Sequence, residues 1–396
     1  MASTHAIAVI MNVNKDFDRR IVAGIARYAQ EVGNWSVYLE DEMLDKMPDL
    51  RAWDGDGIIA DLDDPLVERA VAGVKIPVVG VGGFAWPSLL KANVPYVATD
   101  NWAIGRLGAE HLLGCGFESF AYFGTPRTRY HSWSAQRGLA FADRLKSAGF
   151  TCRSYVGRHR TARRWNALQE RLVGWLKTLP RPVAIMACDD PRARHVVEAC
   201  RQAKLGVPDD VAILGVDNDP MMCEMSVPTL SSIEQNAEAI GYTAATALRR
   251  MLGRNKEVKR WATVPPLRVV TRRSTDVIAS KDCVVVGALR YIRERRSKVL
   301  QVTDVAEYVA VSRTTLDRHF QKAIGRSVHD ELERVRLETA KHLLATTDLP
   351  IKSVAHQSGF RSVNYLGFVL RRDSGISPGR YRRQAKGSVP DSMGGR

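Results

Sequence analysis

The sequence lacks the features that define secreted, membrane-spanning and metal-binding proteins. It has six cysteines in 396 residues, none in a CxxC pair and none at zinc-ligand spacing from a histidine. No apolar run approaches the ~18 residues of a membrane span, and the N-terminus has no signal-peptide pattern. We therefore expect a soluble cytoplasmic protein with reduced thiols, no metal, no cofactor and no membrane partner.

The positive charge of the chain is unevenly distributed. The formal net charge is +15, with 45% hydrophobic and 26% charged residues, a composition typical of soluble globular proteins of two or three domains at this length. The last 121 residues carry a net charge of +9, and the first 275 carry only +6. This asymmetry indicates a polyanion-binding domain. The alternative interpretation is a basic, solvated surface that binds no partner.

Up to about residue 275, short apolar runs alternate with helical patterns. The runs are rich in Val, Ile or Phe and nearly continuous, which is typical of strands buried on both faces of a parallel sheet. The alternation predicts an α/β fold with doubly wound parallel sheets, in two lobes separated by a cleft. The apolar runs cover residues 6–11, 57–60, 77–81, 120–123, 183–187 and 211–216. The helical patterns cover residues 19–32, 65–72, 103–114, 135–148, 163–179, 193–204 and 236–252.

The pattern changes around residues 272–281. Beyond this point only helical periodicity and basic residues remain. We therefore predict four segments: an α/β domain over residues 5–275, a linker over 276–283, an all-α domain over 284–385 and a flexible tail over 386–396.

The all-α segment contains an internal repeat with an offset of 49 residues. Each copy predicts a short helix, a tight turn at Ala310 or Gly359, and a second helix that begins after the N-cap residue Ser312 or Ser362. This is helix-turn-helix spacing, and a plain helical bundle is the alternative. The matching positions are Val305-Ala306, Ala310-Val311, Leu316 and Phe320 in the first copy, and Val354-Ala355, Gly359-Phe360, Tyr365 and Val369 in the second.

The segment 283–385 resembles the DNA-binding domain of the AraC/XylS family of transcription regulators. The resemblance implies two helix-turn-helix units joined by a long helix over residues 328–346. Ala310 departs from the usual Gly, Leu366 and Leu370 replace common Phe residues, and Phe368 stands where a polar residue is frequent. The last departure leaves base contacts by the second unit open. The matching residues are Arg336, Ala340, Leu343-Leu344, Ile351, Val354-Ala355, Gly359-Phe360, Ser362, Tyr365, Arg371-Arg372, Gly375, Ser377-Pro378 and Tyr381-Arg382.

Each second helix is expected to lie in a major groove of DNA. Arg318 suits a guanine edge, Asn364 suits adenine, and Val363 or Phe368 suits a thymine methyl group. For each residue a phosphate contact or a solvated side chain is the alternative. The candidate DNA-binding residues are Arg313, Thr314, Asp317 and Arg318 in the first unit, and Arg361, Val363, Asn364 and Phe368 in the second.

Short motifs stand at the ends of predicted strands in the first domain, among them Cys188-Asp189-Asp190 and Gly215-Val216-Asp217-Asn218. With these motifs, residues 5–275 resemble the periplasmic-binding-protein-like sensor domain of LacI/GalR-type regulators. Combined with the C-terminal domain, they resemble sugar-responsive transcription activators, with further matches at residues 12–15 and 61–64. The resemblance implies a homodimer that binds D-xylose or a related sugar and a double-stranded DNA operator, with RNA polymerase as a further partner. The matching residues are Arg137, Ala140-Phe141, Cys188-Asp189-Asp190, Gly215-Val216-Asp217-Asn218 and residues 228–235.

Polar side chains follow several predicted strands, at the edge where open α/β sheets bind ligands. Carboxylate, amide and guanidinium groups form paired hydrogen bonds with sugar hydroxyls, while an aromatic face covers the C–H side. A helix cap or an ion pair is the alternative role for each residue. The candidate ligand-binding residues are Asp18, Arg19, Arg137, Asp190, Arg192, Asp217, Asn218 and Gln235, and the candidate aromatic platforms are Phe17, Phe84, Trp86 and Trp133.

Rival functions find less support in the sequence. The segment 80–85 matches a dinucleotide fingerprint, but Trp86-Pro87 follows it where a helix N-terminus is required. No nucleophile, base and orienting group occur in a recognisable motif, so we predict that the protein is not an enzyme. A sugar-responsive transcription regulator is the expected function. A response to another pentose or polyol, or a non-regulatory sugar-binding protein, stays open.

Overall fold

The apolar runs of the first part of the chain form two parallel sheets. The structure, a computed structural model, describes residues 4–40, 50–83, 94–126, 128, 132–158, 165–253, 259–276, 282–295 and 298–385. Two compact units divide the chain, Met1–Val277 and Ile278–Arg396. The tail predicted over residues 386–396 and linker residues 277–281 lie outside the described residues.

Both sheets of the first unit have six strands among the described residues. Their orders are β11-β5-β4-β3-β1-β2 and β12-β10-β9-β8-β6-β7, and β12 alone runs antiparallel to its neighbour. Central strands such as β3, β8 and β9 are buried throughout, which explains their continuous apolar sequences. The strands are β1 (His5–Ile10), β2 (Trp35–Leu39), β3 (Gly57–Asp61), β4 (Val78–Gly82), β5 (Tyr96–Thr99), β6 (Phe120–Gly124), β7 (Cys152–Val156), β8 (Val183–Ala187), β9 (Val211–Val216), β10 (Ser231–Glu234), β11 (Trp261–Val264) and β12 (Arg268–Val270).

Helices cover the sheets, and several begin at an acidic N-cap. Asp64, Asp100, Asp189 and Asp219 each accept a hydrogen bond from a backbone N–H in the first turn of the following helix, a favourable cap at the positive end of the helix dipole. The helices are α1 (Asp16–Val32), α2 (Pro65–Val71), α3 (Asn101–Gly114), α4 (Ser132–Ser147), α5 (Trp165–Lys177), α6 (Asp190–Gln202), α7 (Pro220–Glu224) and α8 (Ala237–Leu252).

The two lobes are interwoven rather than consecutive. The chain crosses between the sheets after β5, after β10 and between β11 and β12. We call the lobe with the sheet that contains β1 the first lobe, and the lobe with the sheet that contains β6 the second lobe. As a result of the crossings, α8 packs against α1 in the first lobe, and α3 packs against α4 in the second. Gly24 and Gly241 permit the close α1–α8 crossing, because a Cβ at either position would overlap the backbone of the opposite helix. The predicted α/β fold with two parallel-sheet lobes is confirmed.

The second unit contains two helix-turn-helix pairs joined by one long helix. Its described helices are α9 (Cys283–Glu294), α10 (Val302–Tyr308), α11 (Arg313–Ile324), α12 (Val328–Thr346), α13 (Ile351–Gln357), α14 (Val363–Ser374) and α15 (Pro378–Ala385). The long helix α12 adds Val328, Leu332 and Val335 to the apolar core of the first pair. It adds Leu337, Ala340 and Leu344 to the core of the second.

Local signals set both turns as predicted. Ala310 and Gly359 have φ angles of 54° and 77°, the left-handed conformation that allows the tight turn. The side chains of Ser312 and Ser362 accept hydrogen bonds from the backbone N–H groups of Thr315 and Tyr365, which caps the N-termini of α11 and α14. We call α11 and α14 the recognition helices.

The repeat offset predicted for the recognition helices is wrong by one residue. Between the first helix and the turn the offset is 49, but the two recognition helices begin at Arg313 and Val363, which are 50 residues apart. The second turn contains one more residue than the first. Tyr365 therefore does not correspond to the buried Leu316; Leu366 does, and it is fully buried while Tyr365 is 38% exposed.

Candidate functional site

The carboxyl ends of the strands of both lobes come together in the first unit. Arg20 on α1 donates to the backbone oxygen of Asn218 after β9 (3.1 Å), and Asn101 at the start of α3 donates to the backbone oxygen of Gly83 after β4 (2.9 Å). Each hydrogen bond joins one lobe to the other. We call the region between these strand ends the cleft, and define it by Asp18, Arg137, Asp217 and Gln235.

A row of hydrogen bonds connects the crossings between the lobes to the cleft. The Thr99 hydroxyl, at the end of β5, donates to Gln235 Oε1 (2.6 Å). Gln235 Nε2, directly after β10, donates to Asp217 Oδ1 (2.6 Å). The next residue, Asn218, is buried and left-handed, with φ 52°, and its Oδ1 has no hydrogen-bond partner within the described residues. A buried polar atom without a partner is an unmet hydrogen-bonding capacity, which a ligand can satisfy.

Arg137 supplies the positive charge of the cleft. It is 3% exposed, and it donates through Nε to Asn101 Oδ1 (2.9 Å) and through Nη1 to the backbone oxygen of Cys188 (2.6 Å). Its guanidinium carbon lies 4.7 Å from the ring centroid of Trp133. These contacts hold Arg137 in one orientation beside Asp217, whose ionised form it favours.

Carboxyl groups of both lobes face one another across the cleft. Asp18 is 2% exposed, and its Oδ2 lies 3.7 Å from Lys15 Nζ. Burial, reinforced by the charge of Asp61, raises the pKa of Asp18 to about 8. Burial also raises the pKa of Asp217 to about 7, although Arg137 opposes the shift. Because both pKa values are raised toward neutral pH, each carboxyl can donate a hydrogen bond when protonated and accept one when ionised, which matches hydroxyl groups that do both.

Asp190 lies beneath the cleft and not on its surface. Its side chain is fully buried. Its Oδ1 accepts from the Ser232 hydroxyl (2.6 Å), and its Oδ2 accepts from the Asp219 backbone N–H (2.9 Å) and the Cys223 thiol (3.6 Å). The structure therefore assigns Asp190 to holding the loop after β9, in place of the direct ligand contact that the sequence predicts.

Arg19 and Arg192 donate hydrogen bonds to residues other than the four that define the cleft. Arg19 is exposed and donates to the backbone oxygen of Val13 (2.9 Å) and to Asp16 (3.2 Å). Arg192 is buried and donates to Thr125 Oγ1 (3.1 Å) and to the backbone oxygen of Arg158 (2.9 Å). The sequence places both residues after strand ends, but it does not give the direction of their side chains.

Two residues at the cleft, Asp63 and Asn101, are not among the predicted ligand-binding residues. Asp63 accepts from the Gly83 backbone N–H (2.6 Å) and the Tyr96 hydroxyl (2.8 Å), and Asn101 bonds Arg137 and Gly83. Asp63 follows a buried strand, so the rule that selected Asp217 also identifies Asp63.

Of the predicted aromatic platforms, Trp133 lies at the cleft. A Cβ built on Gly83 would lie 3.2 Å from the Trp133 ring, so this ring spans from its own lobe to the other. Phe17 instead packs against the core of the first lobe. Phe84 and Trp86 lie outside the described residues.

The predicted DNA-binding residues lie on the outer faces of the two recognition helices. Arg313, Thr314 and Arg318 are exposed on α11. Asp317 accepts from the Val328 backbone N–H (3.2 Å), so it also fixes the start of α12. In the second helix-turn-helix pair, Arg361 at the turn before α14 and Val363, Asn364 and Phe368 on α14 are all exposed.

The part of the chain that the structure describes contains neither a candidate metal centre nor a helix that could span a membrane. No group of three His, Cys, Asp or Glu side chains is arranged to hold a metal ion there. Within the same residues, every helix is too short or too polar to cross a membrane.

A two-lobed α/β unit with a polar cleft, followed by two helix-turn-helix pairs, defines a class of transcription regulators that carry their own small-molecule sensor. Comparisons with known proteins agree. Residues 6–102 match the XylR N-terminal domain, residues 109–275 a periplasmic binding protein-like domain, and residues 305–384 a helix-turn-helix domain.

Relatives extend this match over nearly the whole chain. The xylose operon regulatory protein of Escherichia coli K12 is 34% identical over 96% of this chain and 97% of its own length. That of Haemophilus influenzae is 32% identical over 96% and 98%. The solved structure of a xylose-binding transcription activator, xylR, has a TM-score of 0.75 at 34% identity, covering 97% of this chain and 99% of its own. The chain belongs to the xylose operon regulatory protein family, and it is therefore a DNA-binding transcription regulator and not an enzyme.

Proposed function

We propose that this chain activates the transcription of D-xylose catabolic and transport genes when D-xylose binds in the cleft. The observation that carries the proposal is the convergence of Asp18, Arg137, Asp217 and Gln235 from both lobes. These groups match the closely spaced hydroxyls of a pentose. The named function of the relatives, xylose operon regulation, supports the choice of sugar.

Ligand binding is expected to favour a closed arrangement of the lobes. A pentose bonded to Asp18 on the first lobe and to Arg137 and Asp217 on the second stabilises the state in which these groups are closest. The sugar shifts this equilibrium only by its differential affinity for the two states. Trp133 is the expected platform for the C–H face of the ring.

Strand β10 provides a physical connection from the cleft to the exit of the sensor unit. On the cleft side, the Ser232 hydroxyl bonds Asp190 and accepts from the Asn218 backbone N–H (2.9 Å). On the other side, the Ser231 hydroxyl accepts from the Thr275 hydroxyl (2.8 Å). Thr275 lies in the last described turn before the linker. A shift of β10 relative to its neighbours therefore changes the hydrogen bond between Ser231 and Thr275 in this turn.

The turn that contains Thr275 is held by buried polar contacts. Ser274 Oγ donates to the backbone oxygen of Ile213 (2.5 Å) and accepts from the Ser231 backbone N–H (2.8 Å). His111 Nε2 bonds the Thr275 hydroxyl (2.9 Å). Burial lowers the pKa of His111 to about 4, so the ring is neutral at physiological pH.

The Thr275→Val variant is expected to retain its affinity for D-xylose but to lose at least half of the sugar-dependent change in DNA affinity. Valine keeps the shape and removes the hydroxyl that joins Ser231 and His111. The test is fluorescence anisotropy of labelled DNA with and without D-xylose, beside calorimetry of sugar binding. Thr178→Val, at an exposed position directly after α5, is the matched control. A Thr275→Val protein with full coupling contradicts this connection.

The affinity for D-xylose is expected to be greatest between about pH 7 and pH 8. Below pH 7, Asp217 becomes protonated and loses an acceptor. Above pH 8, Asp18 ionises, loses a donor and repels Asp61. Calorimetric titrations at a series of pH values measure the profile. In the Asp217→Asn protein, the affinity for D-xylose should no longer fall below pH 7. In the Asp18→Asn protein, it should no longer fall above pH 8. A wild-type affinity independent of pH would show that neither carboxyl titrates against the ligand.

The remaining partners follow from the DNA-binding role. We place the protein in the cytoplasm, since its relatives are bacterial and its target is DNA. A homodimer would set two copies of the DNA-binding domain on repeated half-sites, and activation requires contact with RNA polymerase. Sedimentation of the full chain, measured with and without DNA, tests whether it forms a dimer.

Calorimetric titrations with D-xylose, other pentoses and xylitol test which ligand the cleft binds. If another sugar binds more tightly than D-xylose, that sugar is the ligand.

A further inference from the structure

The two recognition helices can be superimposed residue by residue from their own boundaries. Both begin after a serine N-cap, Ser312 or Ser362, and both end at a left-handed glycine, Gly325 or Gly375. The fully buried pairs Leu316 and Leu366, and Phe320 and Leu370, have the same offset of 50 residues. Four independent markers therefore agree on one correspondence between the helices.

This correspondence places Phe368 where the first helix has Arg318. It also pairs Arg313 with Val363, Thr314 with Asn364 and Asp317 with Gly367. The first helix thus presents charged and polar groups at the positions where the second presents an aliphatic group, an amide, a glycine and a phenyl ring. At corresponding positions, the two helices therefore present chemically different side chains to the grooves in which we expect them to lie.

Phe368 is exposed yet held in place by its neighbours. Its side chain is 60% exposed. The Tyr365 ring stacks against it at 6.4 Å and 17°, and the guanidinium carbon of Arg372 lies 5.8 Å from its centroid. We call Tyr365 and Phe368 the aromatic face of α14.

Glu333 on α12 positions both neighbours of Phe368. Its Oε2 accepts from the Tyr365 hydroxyl (2.6 Å), and its Oε1 forms an ion pair with Arg372. An exposed ring that is already ordered loses little conformational freedom on binding. Basic residues next to the aromatic face, Arg361, Arg371 and Arg372, favour a polyanion over an apolar protein surface as the occupant.

We propose that the second recognition helix selects thymine, through contact of Phe368 with thymine 5-methyl groups in the major groove. The thymine methyl is the apolar group that a base pair presents in that groove, and Phe is among the side chains that contact it. At the same helix position α11 has Arg318, which suits guanine. The two parts of a half-site that α11 and α14 of one chain contact then differ in base composition. This inference rests on the proposed binding of DNA.

The test replaces thymine by deoxyuracil, which lacks only the 5-methyl group and pairs in the same way. An operator is first selected from random DNA with the full-length protein and D-xylose. Binding is then measured on fragments with uracil either in the part of the half-site contacted by α11 or in the part contacted by α14. Wild-type protein should lose about fourfold in affinity for each contacted methyl group, and only in the part contacted by α14.

Variants identify the contacting residue. Phe368→Ala should bind thymine and uracil operators equally, whereas Arg318→Ala should keep the wild-type preference. Glu333→Gln, with folding checked by thermal melting, should reduce the preference because Tyr365 and Arg372 lose their common anchor. Phe368→Leu should restore part of it.

Each outcome distinguishes this proposal from the proposed function. If no selected DNA is bound, the proposed function fails. If DNA is bound with D-xylose dependence but uracil has no effect, DNA binding stands and thymine selection is wrong. A Phe368→Ala protein that binds DNA normally but fails to activate transcription would assign the aromatic face to a protein partner, which also overturns the proposal.

Discussion

Replacing Asp217 by Asn is expected to weaken D-xylose binding about 100-fold. The ionised carboxylate accepts hydrogen bonds from sugar hydroxyls, and bonds to a charged group in a buried site contribute about 1.5–3 kcal/mol each. Asn keeps the acceptor that Gln235 Nε2 requires, and it tolerates the positive φ of 116° at this position. The measurement is isothermal titration calorimetry on the purified full-length protein.

The matched control for this variant is Asp143→Asn. Asp143 is exposed on α4, so the same chemical change is made outside the cleft. It should leave sugar affinity and thermal stability unchanged. If Asp217→Asn bound D-xylose as tightly as the Asp143→Asn control, the cleft would not be the sugar site.

Replacing Arg318 by Ala is expected to lower affinity for the selected operator about tenfold to 100-fold. Arg318 is exposed on the outer face of α11, and a bidentate contact from arginine to a guanine edge is worth roughly 1–3 kcal/mol of discrimination. Binding to random DNA should change little, because phosphate contacts by other residues remain. Anisotropy titrations on both DNAs at one salt concentration measure the ratio.

Lys322→Ala provides the comparison for Arg318. Lys322 lies on the last turn of the same helix and is exposed, so its loss removes a positive charge at the end of α11 away from the candidate base contacts. This variant should weaken operator and random DNA by similar factors. An Arg318→Ala protein that behaved in the same way would make Arg318 a phosphate contact.

The fold could be predicted from most of the strands that are buried on both faces, although β5 is also buried throughout and was not predicted. Strands β3, β8 and β9 are continuous apolar runs in the sequence because both of their faces are covered. The edge strands β2 and β7 have exposed central residues, so they lack that pattern and were not predicted. The interweaving of the lobes was also missed, since pairing between distant strands leaves no local signal.

The sequence predicts where residues of the cleft stand along the chain, but it does not predict the direction in which their side chains point. Residues after strand ends are candidates by topology, and Asp217, Gln235 and Arg137 do converge. Asp190 illustrates what was missing: it immediately follows Asp189, and the backbone direction at that point turns its carboxylate inward to Ser232 and Asp219. Neighbouring residues with the same chemistry thus have different roles.

The helix-turn-helix repeat shows a similar limit. Apolar spacing identified two copies, but Tyr365 and Leu366 are adjacent apolar residues, and periodicity alone did not decide which is buried. The N-cap serines decide it, because they fix the first residue of each recognition helix. One extra residue in the second turn then changes every pair of corresponding positions on the two helices.

The most direct test of the account is the DNA affinity of the full-length protein with and without D-xylose. Anisotropy of the selected operator should show tighter binding with saturating D-xylose, by about 5- to 150-fold, which corresponds to a coupling of about 1–3 kcal/mol. The Asp217→Asn protein should show no change at the same sugar concentration. Equal operator affinity of the wild-type protein with and without D-xylose, although the sugar binds by calorimetry, would contradict the account.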